Sequence, residues 1–150
     1  MLEPDFRDML SALSAAGAEY LVIGAYAMAV QGFPRGTGDL DIWIRPDPEN
    51  AHRVREALVR YGAPVADLES EELARPGLIF QIGVAPLRID IVTEITGVAF
   101  TEAWVEREER EMGRLRVPVI SKRHLLANKR AVGRPKDLID AAWLEEHGGE

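Results

Sequence analysis

The sequence predicts an α/β fold: a single domain with a mixed central sheet and helices packed on it. Three observations carry this. The chain has 150 residues, about one domain's worth. Hydrophobic residues make up 47%, enough for one buried core. Stretches of helical period alternate along the chain with short apolar runs and strict apolar–polar alternation, the pattern of strands and helices in mixed layers. No internal repeat, low-complexity tract or linker interrupts them.

Each element has its own signals. Residues 3–17 read as a helix, with Pro4 in the first turn, an apolar stripe of Phe6, Met9, Leu10 and Leu13, and Gly17 at the stop. Residues 19–24 read as a buried strand, and 25–31 as a short helix of mostly small residues closed by Gly32. Glycines and a proline make 33–38 a loop, and 39–45 alternates as a second strand. Asp47 and Pro48 open a helix that runs to Tyr61 and stops at Gly62. Residues 63–76 are irregular, with room for one helical turn. Residues 78–84 and 87–93 read as strands joined closely enough for a hairpin. Residues 100–111 read as a charged helix. Residues 115–120 read as a short strand in which Pro118 marks an edge position. Ser121 caps a helix to Val132, Gly133 ends it, and Pro135 starts a last helix reaching about residue 146.

Composition removes several function classes. There is no cysteine, so disulfides, thiolate zinc sites and cysteine nucleophiles are excluded. No apolar run approaches the roughly 20 residues needed to span a bilayer. The first ten residues carry acids where a signal peptide carries base, so the expected address is the cytoplasm. No Walker sequence or dinucleotide fingerprint occurs. Ser11, Ser14 and Ser70 lack the histidine–acid company of a serine hydrolase. His52, His124 and His147 have no metal-ligand spacing and read as surface residues.

Net charge is -7, which argues against a protein that coats nucleic acid. The distribution says more. Residues 118–136 hold six basic side chains and no acid, inside an otherwise acidic chain. That segment either receives a polyanion or a nucleotide's phosphates, or forms a solvated helix face.

The chemistry concentrates in two strands. Side chains alternate along a strand, so Leu40, Ile42 and Ile44 point one way and Asp39 and Asp41 the other. Two carboxylates on one face repel unless water or a cation lies between them, and an all-oxygen pair suits a hard cation such as Mg²⁺. Asp90 lies on the later strand 87–93, on one face with Arg88. If that strand pairs beside the first, three carboxylates share a face and can hold two divalent ions for phosphoryl transfer. The competing role for Asp90 is an ordinary ion pair with a nearby arginine. Gly24 stands between a strand and a helix, where backbone can approach a ligand closely and free N–H groups can meet phosphate.

These residues carry a family resemblance. Gly24-Ala25, thirteen intervening residues, Asp39-Leu40-Asp41-Ile42 and the later Asp90 resemble the nucleotidyltransferase superfamily typified by DNA polymerase beta. The string from Leu21 to Ile44, with Arg35 and Thr37 ahead of the aspartates, and the ending from Asn128 to Asp140 resemble its small bacterial branch related to AbiEii-type toxins. The resemblance spans about residues 19–144 and implies a minimal nucleotidyltransferase fold over residues 1–150. It implies that Asp39, Asp41 and Asp90 hold two Mg²⁺ ions, for which Mn²⁺ can substitute, and that Asp90 also helps activate an acceptor hydroxyl. Gly24 and Ala25 would line the triphosphate of an NTP. Ala25 departs from the serine common in the family and retains only its N–H for phosphate.

Lys129 and Arg134 flank the Gly133 helix break and are the favoured phosphate grip, by the resemblance and by the bidentate chemistry of arginine. Arg134 has a competing role as the partner of Asp137 three residues on. Arg35 and Thr37, in the loop just before the aspartates, are candidates to touch the nucleotide substrate, and Arg35 has a competing role as the ion-pair partner of a carboxylate. Trp43 shares the aspartates' face and either stacks on a base or packs in the core, while Trp104 and Trp143 read as core. The expected reaction is transfer of a nucleoside monophosphate from an NTP to an acceptor hydroxyl with release of pyrophosphate. The resemblance names transfer RNA and a toxin–antitoxin setting for the acceptor, and the small size leaves room for a homodimer or partner subunit to complete the site. The alternative is a non-catalytic module on the same fold that binds nucleotide, RNA or a partner protein. No membrane partner is expected.

Overall fold

In the computed structural model, residues 2–33, 38–84 and 86–147 are described. The chain begins with helix α1 (Pro4–Ala15), strand β1 (Tyr20–Ile23), helix α2 (Gly24–Val30) and strand β2 (Asp39–Ile44). Helix α3 (Pro48–Tyr61) follows, with the single turn α4 (Ser70–Leu73) and the hairpin β3 (Ile79–Val84) and β4 (Leu87–Val92). Helix α5 (Phe100–Val105), strands β5 (Glu108–Met112) and β6 (Leu115–Val119), and helices α6 (Lys122–Val132) and α7 (Pro135–His147) complete it.

Among the described residues the strands form one six-stranded sheet in the order β3-β4-β2-β1-β6-β5. It is mixed, as expected: β1–β2, β3–β4 and β5–β6 are antiparallel, and β2–β4 and β1–β6 are parallel. Strand β1 is buried throughout and β2 is buried apart from Asp39 and Asp41, because both lie at the centre of the sheet. Phe6, Met9, Leu10 and Leu13 of α1 are buried, as are Val54, Ala57 and Leu58 of α3, so the stripe read from the sequence is the face that enters the core.

The helix starts follow capping chemistry. The Asp47 side chain accepts a 2.8 Å bond from the Asn50 N–H, and the Ser121 hydroxyl accepts one at 3.3 Å from the His124 N–H.

Three expectations are corrected. Residues 100–111 are not one helix: α5 ends at Val105 and 108–112 form the edge strand β5. The charges that suggested a solvated helix instead line an exposed strand edge, with Arg110 paired to Glu108 at 2.7 Å and bonded to the Val30 carbonyl at 2.8 Å. Pro118 does not lie on an edge strand, since β6 sits between β1 and β5. It is tolerated because it shares the parity of Ile120, whose N–H meets the Val22 carbonyl. The missing Pro118 donor therefore faces β1 where that short ladder has not begun, and pairing to β5 is untouched. His124 is buried rather than on the surface. Its ring folds back on the Ser121 cap at 3.2 Å and lies 3.8 Å from Glu106.

Candidate active site

Strand register assembles the acids. Because β2 and β4 run parallel, Asp39 faces Arg88 and Asp41 faces Asp90. The three aspartates thus stand on neighbouring strands on one sheet face. Arg88 joins them: its Nη2 donates to Asp39 Oδ2 at 3.1 Å and to Asp90 Oδ2 at 3.2 Å, and its Nε lies 3.0 Å from Asp90 Oδ1. The ion pair foreseen as the competing role of Asp90 is therefore present, within the carboxylate cluster rather than in place of it.

Asp41 bears the cost of this crowding. Its carboxyl is pushed up to about 6, first by burial, then by the charges of Asp90 and Asp39 and a hydrogen bond with Asp90. Arg88 offsets only part of the effect.

Two glycines make the arrangement possible. Gly24 has φ +70°, and a Cβ there would lie 2.3 Å from Asp41 Oδ2. Only glycine lets the start of α2 close over that carboxylate. A Cβ on Gly38 would meet the Pro86 carbonyl oxygen at 1.3 Å, so glycine also sets how closely the entry to β2 packs on the β3–β4 hairpin. The Gly38 carbonyl then accepts the Arg88 N–H at 2.8 Å.

Opposite Asp41 stands the basic segment. A cleft of about 310 Å³ is lined by Gly24, Ala25 and Asp41 on one side and by Asn128, Lys129, Arg134 and Lys136 on the other. Residues more than a hundred positions apart in sequence thus share one opening. Asp39 and Asp90 flank Asp41 just outside the cleft's lining.

Beneath the basic wall lie two buried acids. Lys129 Nζ is 3.0 Å from Asp140 Oδ2 and 3.6 Å from Asp137 Oδ1. Arg134 Nε donates to Asp137 Oδ2 at 2.7 Å. Burial alone would raise the Asp137 carboxyl, but the Arg134 hydrogen bond and the charges of Lys129 and Arg134 hold it below the usual carboxylate range. So the local pairing open to Arg134 is formed, and the same guanidinium, 63% exposed, still faces the cleft. The two roles are compatible.

Sequence reasoning missed Asp140 and Asn128 as cleft residues and did not assign Arg88. The available signal for Asp140 was its three-residue spacing from Asp137, which puts both on one face of α7 directly after a basic helix. Arg35 and Thr37 lie outside the described residues. Trp43 is core: it is 1% exposed and packs edge-on against Phe100 at 5.0 Å. Trp104 and Trp143 are half-buried and pack against the core. A larger hollow of about 520 Å³ beside Pro48, His52 and Ser70 gathers no comparable set of charges.

As to metal, no group of three or more acidic or histidine side chains among the described residues closes into a ready-made cation site. The donors nevertheless suit a hard cation. They are all carboxylate oxygens, and Asp41 is buried opposite Asp90 with like charge on two sides. The charge that a cation would supply is supplied in this arrangement by Arg88.

No protein-family model matches the sequence, and no curated protein matches it. Solved structures do. A Thermotoga maritima protein described as a candidate nucleotidyltransferase aligns over 97% of this chain and 96% of its own, at 18% identity and TM-score 0.63. The lincosamide antibiotic adenylyltransferase LnuA, solved with lincomycin bound, aligns over 98% of both chains at 15% identity and TM-score 0.62. The antibiotic-resistance factor ANT(2'')-Ia aligns over 93% of this chain and 80% of its own, at 13% identity and TM-score 0.60. The likeness is one of fold: this chain has the α/β fold of nucleotidyltransferases. No described helix is long and apolar enough to cross a membrane.

Proposed function

We propose that this protein is a nucleotidyltransferase that moves a nucleoside monophosphate from an NTP to an acceptor hydroxyl. One observation carries the reading: Asp41 and Asp90 stand in register on adjacent strands, and Gly24, Ala25, Lys129 and Arg134 surround the opening onto Asp41. A carboxylate cluster facing a cationic wall is what phosphoryl transfer needs, because catalysis there is mostly positioning and charge stabilisation.

In this reading Asp39, Asp41 and Asp90 hold two Mg²⁺ ions, with Mn²⁺ as a substitute. When bound, the ions polarise the transferring phosphate and acidify the acceptor hydroxyl. Lys129 and Arg134 neutralise the β- and γ-phosphates, and Gly24 and Ala25 admit the phosphate chain close to the backbone. Asp90 accepts the acceptor's proton, its Oδ1 making an ion-pair contact with Arg88 at 3.0 Å but no hydrogen bond. The acceptor oxygen bonds the α-phosphorus, and the bond from that phosphorus to the bridging oxygen breaks. The electron pair leaves on pyrophosphate. The buried carboxylates of Asp137 and Asp140 hold the Lys129 ammonium in place at the cleft wall.

The acceptor is the open variable. The AbiEii-type resemblance supports transfer RNA in a toxin–antitoxin setting, and two neighbours of the same fold are, by name, a lincosamide antibiotic adenylyltransferase and an antibiotic-resistance factor. The test is incubation with each labelled NTP and Mg²⁺, presenting transfer RNA, hydroxylated antibiotics and a cell extract in turn. Label should appear on one acceptor class, with pyrophosphate released and both signals lost in Asp41→Asn. Nucleotide binding without transfer to any acceptor would move the conclusion to a binding module. Absence of nucleotide binding would sink both.

A further inference from the structure

We infer that Arg88 is a built-in competitor of the divalent cation: its guanidinium occupies the carboxylate oxygens of Asp39 and Asp90 that the ion must take. The inference rests on the proposed nucleotidyltransferase reading and concerns a residue to which that reading gives no task.

The geometry is direct. Arg88 reaches Oδ2 of Asp39 and both oxygens of Asp90 at 3.0 to 3.2 Å. A guanidinium bound in this way competes with an ion on the same carboxylates, since both are positive and both draw on the Oδ2 oxygens of Asp39 and Asp90. Asp41 is the member of the cluster that Arg88 does not bond, and it lines the cleft. An ion arriving through the cleft therefore meets Asp41 first and gains Asp39 and Asp90 only as the guanidinium withdraws.

The withdrawal has a route. The Arg88 main chain is held in β4 by its N–H bond to the Gly38 carbonyl, so the side chain can swing without moving the strand. Its side chain is one-third exposed, on the hairpin that forms the sheet's outer side. Once released, a guanidinium beside the cleft is a bidentate donor for an anionic ligand. A nucleotide's phosphates can then compensate Arg88 for the carboxylates it gives up. Cation and triphosphate binding become coupled: weak for the ion alone, stronger for both together.

The prediction has an unusual sign, because deleting a residue inside the site should improve cation binding. Mn²⁺ binding is measured without nucleotide by electron paramagnetic resonance, on wild type, Arg88→Met and Arg88→Lys, with Asp41→Asn as the control for the site. The expected result is roughly tenfold tighter Mn²⁺ binding in Arg88→Met, about 1.4 kcal/mol and between the bulk-water and near-surface values for one charge pair. Arg88→Lys should fall between, because an ammonium keeps the charge but loses the fork. Should Arg88→Met fail to fold, Arg88→Lys carries the same test, with a gain of a few fold. Mn²⁺ affinity that is unchanged or weaker in the folded variants, with wild-type binding still lost in Asp41→Asn, would overturn the role of Arg88 and leave the proposed reaction standing. Mn²⁺ binding in neither wild type nor variants would overturn both.

Discussion

Asp41 and Asp90 face each other across the parallel pairing of β2 and β4, and Arg88 bonds the second of them but not the first. The pair is therefore asymmetric. Asp90 has a guanidinium against it, while Asp41 is buried beside like charge and has its carboxyl pushed up to about 6.

This asymmetry gives a pH dependence. Between about pH 4 and pH 6 the folded chain keeps a proton on Asp41 that the unfolded chain has released. Stability contributed by that proton is present below the unfolded value and is lost as pH rises through the folded one. Without divalent cation, wild type should thus lose on the order of 2 kcal/mol across this window. Asp41→Asn should remove the loss and, at pH 7, melt several degrees higher than wild type. Thermal melts from pH 4 to 7.5 in chelator check this. A flat wild-type profile, or a parallel fall in the variant, would refute it.

Added Mg²⁺ should invert that ranking. A cation on the carboxylates raises the wild-type Tm by mass action, by an amount that grows with its concentration. Asp41→Asn should gain almost nothing, and nucleotidyl transfer should be lost with it. Melts at increasing Mg²⁺ and a pyrophosphate assay read the two effects separately.

Gly24→Ala should damage the site through geometry alone. The new Cβ would lie 2.3 Å from Asp41 Oδ2, at a φ of +70° that side chains avoid. A cost of about 2 kcal/mol is expected from strain and displacement. Nucleotide affinity should fall even in the folded fraction, because Asp41 must shift. Undisturbed stability and affinity would show that α2 does not close on Asp41 as described.

Arg134→Ala should weaken NTP binding about tenfold to a hundredfold, the value of a charge-assisted hydrogen bond. Arg123→Ala is the control: Arg123 pairs with Glu106 at 3.3 Å, is 68% exposed and does not line the cleft. Its removal should leave affinity near wild type. Equal losses in both would mean that the basic segment acts only through diffuse charge.

Lys129→Met should chiefly unfold the protein. Asp137 and Asp140 are 2% and 3% exposed, and removing Lys129 leaves their burial poorly compensated, at a cost of about 3 kcal/mol. Denaturant melts measure this. The double variant Asp140→Asn with Lys129→Met should recover part of the loss, since one buried negative charge is then removed together with the ammonium that faced it.

Much of this was present in the order of residues. Alternation put Asp39 and Asp41 on one face of a strand, Ser121 and Asp47 marked helix starts, and Gly133 with Pro135 separated the last two helices, because these signals act over a few residues. The edge strand β5 was hidden because Glu108, Glu109 and Glu111 look alike on an exposed helix and an exposed edge, and only pairing with β6 distinguishes them. The burial of His124 was hidden because it depends on Glu106 arriving from another element. That Asp41 faces Asp90, that Lys129 and Arg134 reach the same opening, and that Arg88 spans Asp39 and Asp90 were decided by the parallel register of β2 with β4 and by the packing of α6 and α7. Sequence spacing determines which residues share a face of one element. Which faces then meet is set by long-range pairing, through the burial of apolar surface that no local window contains.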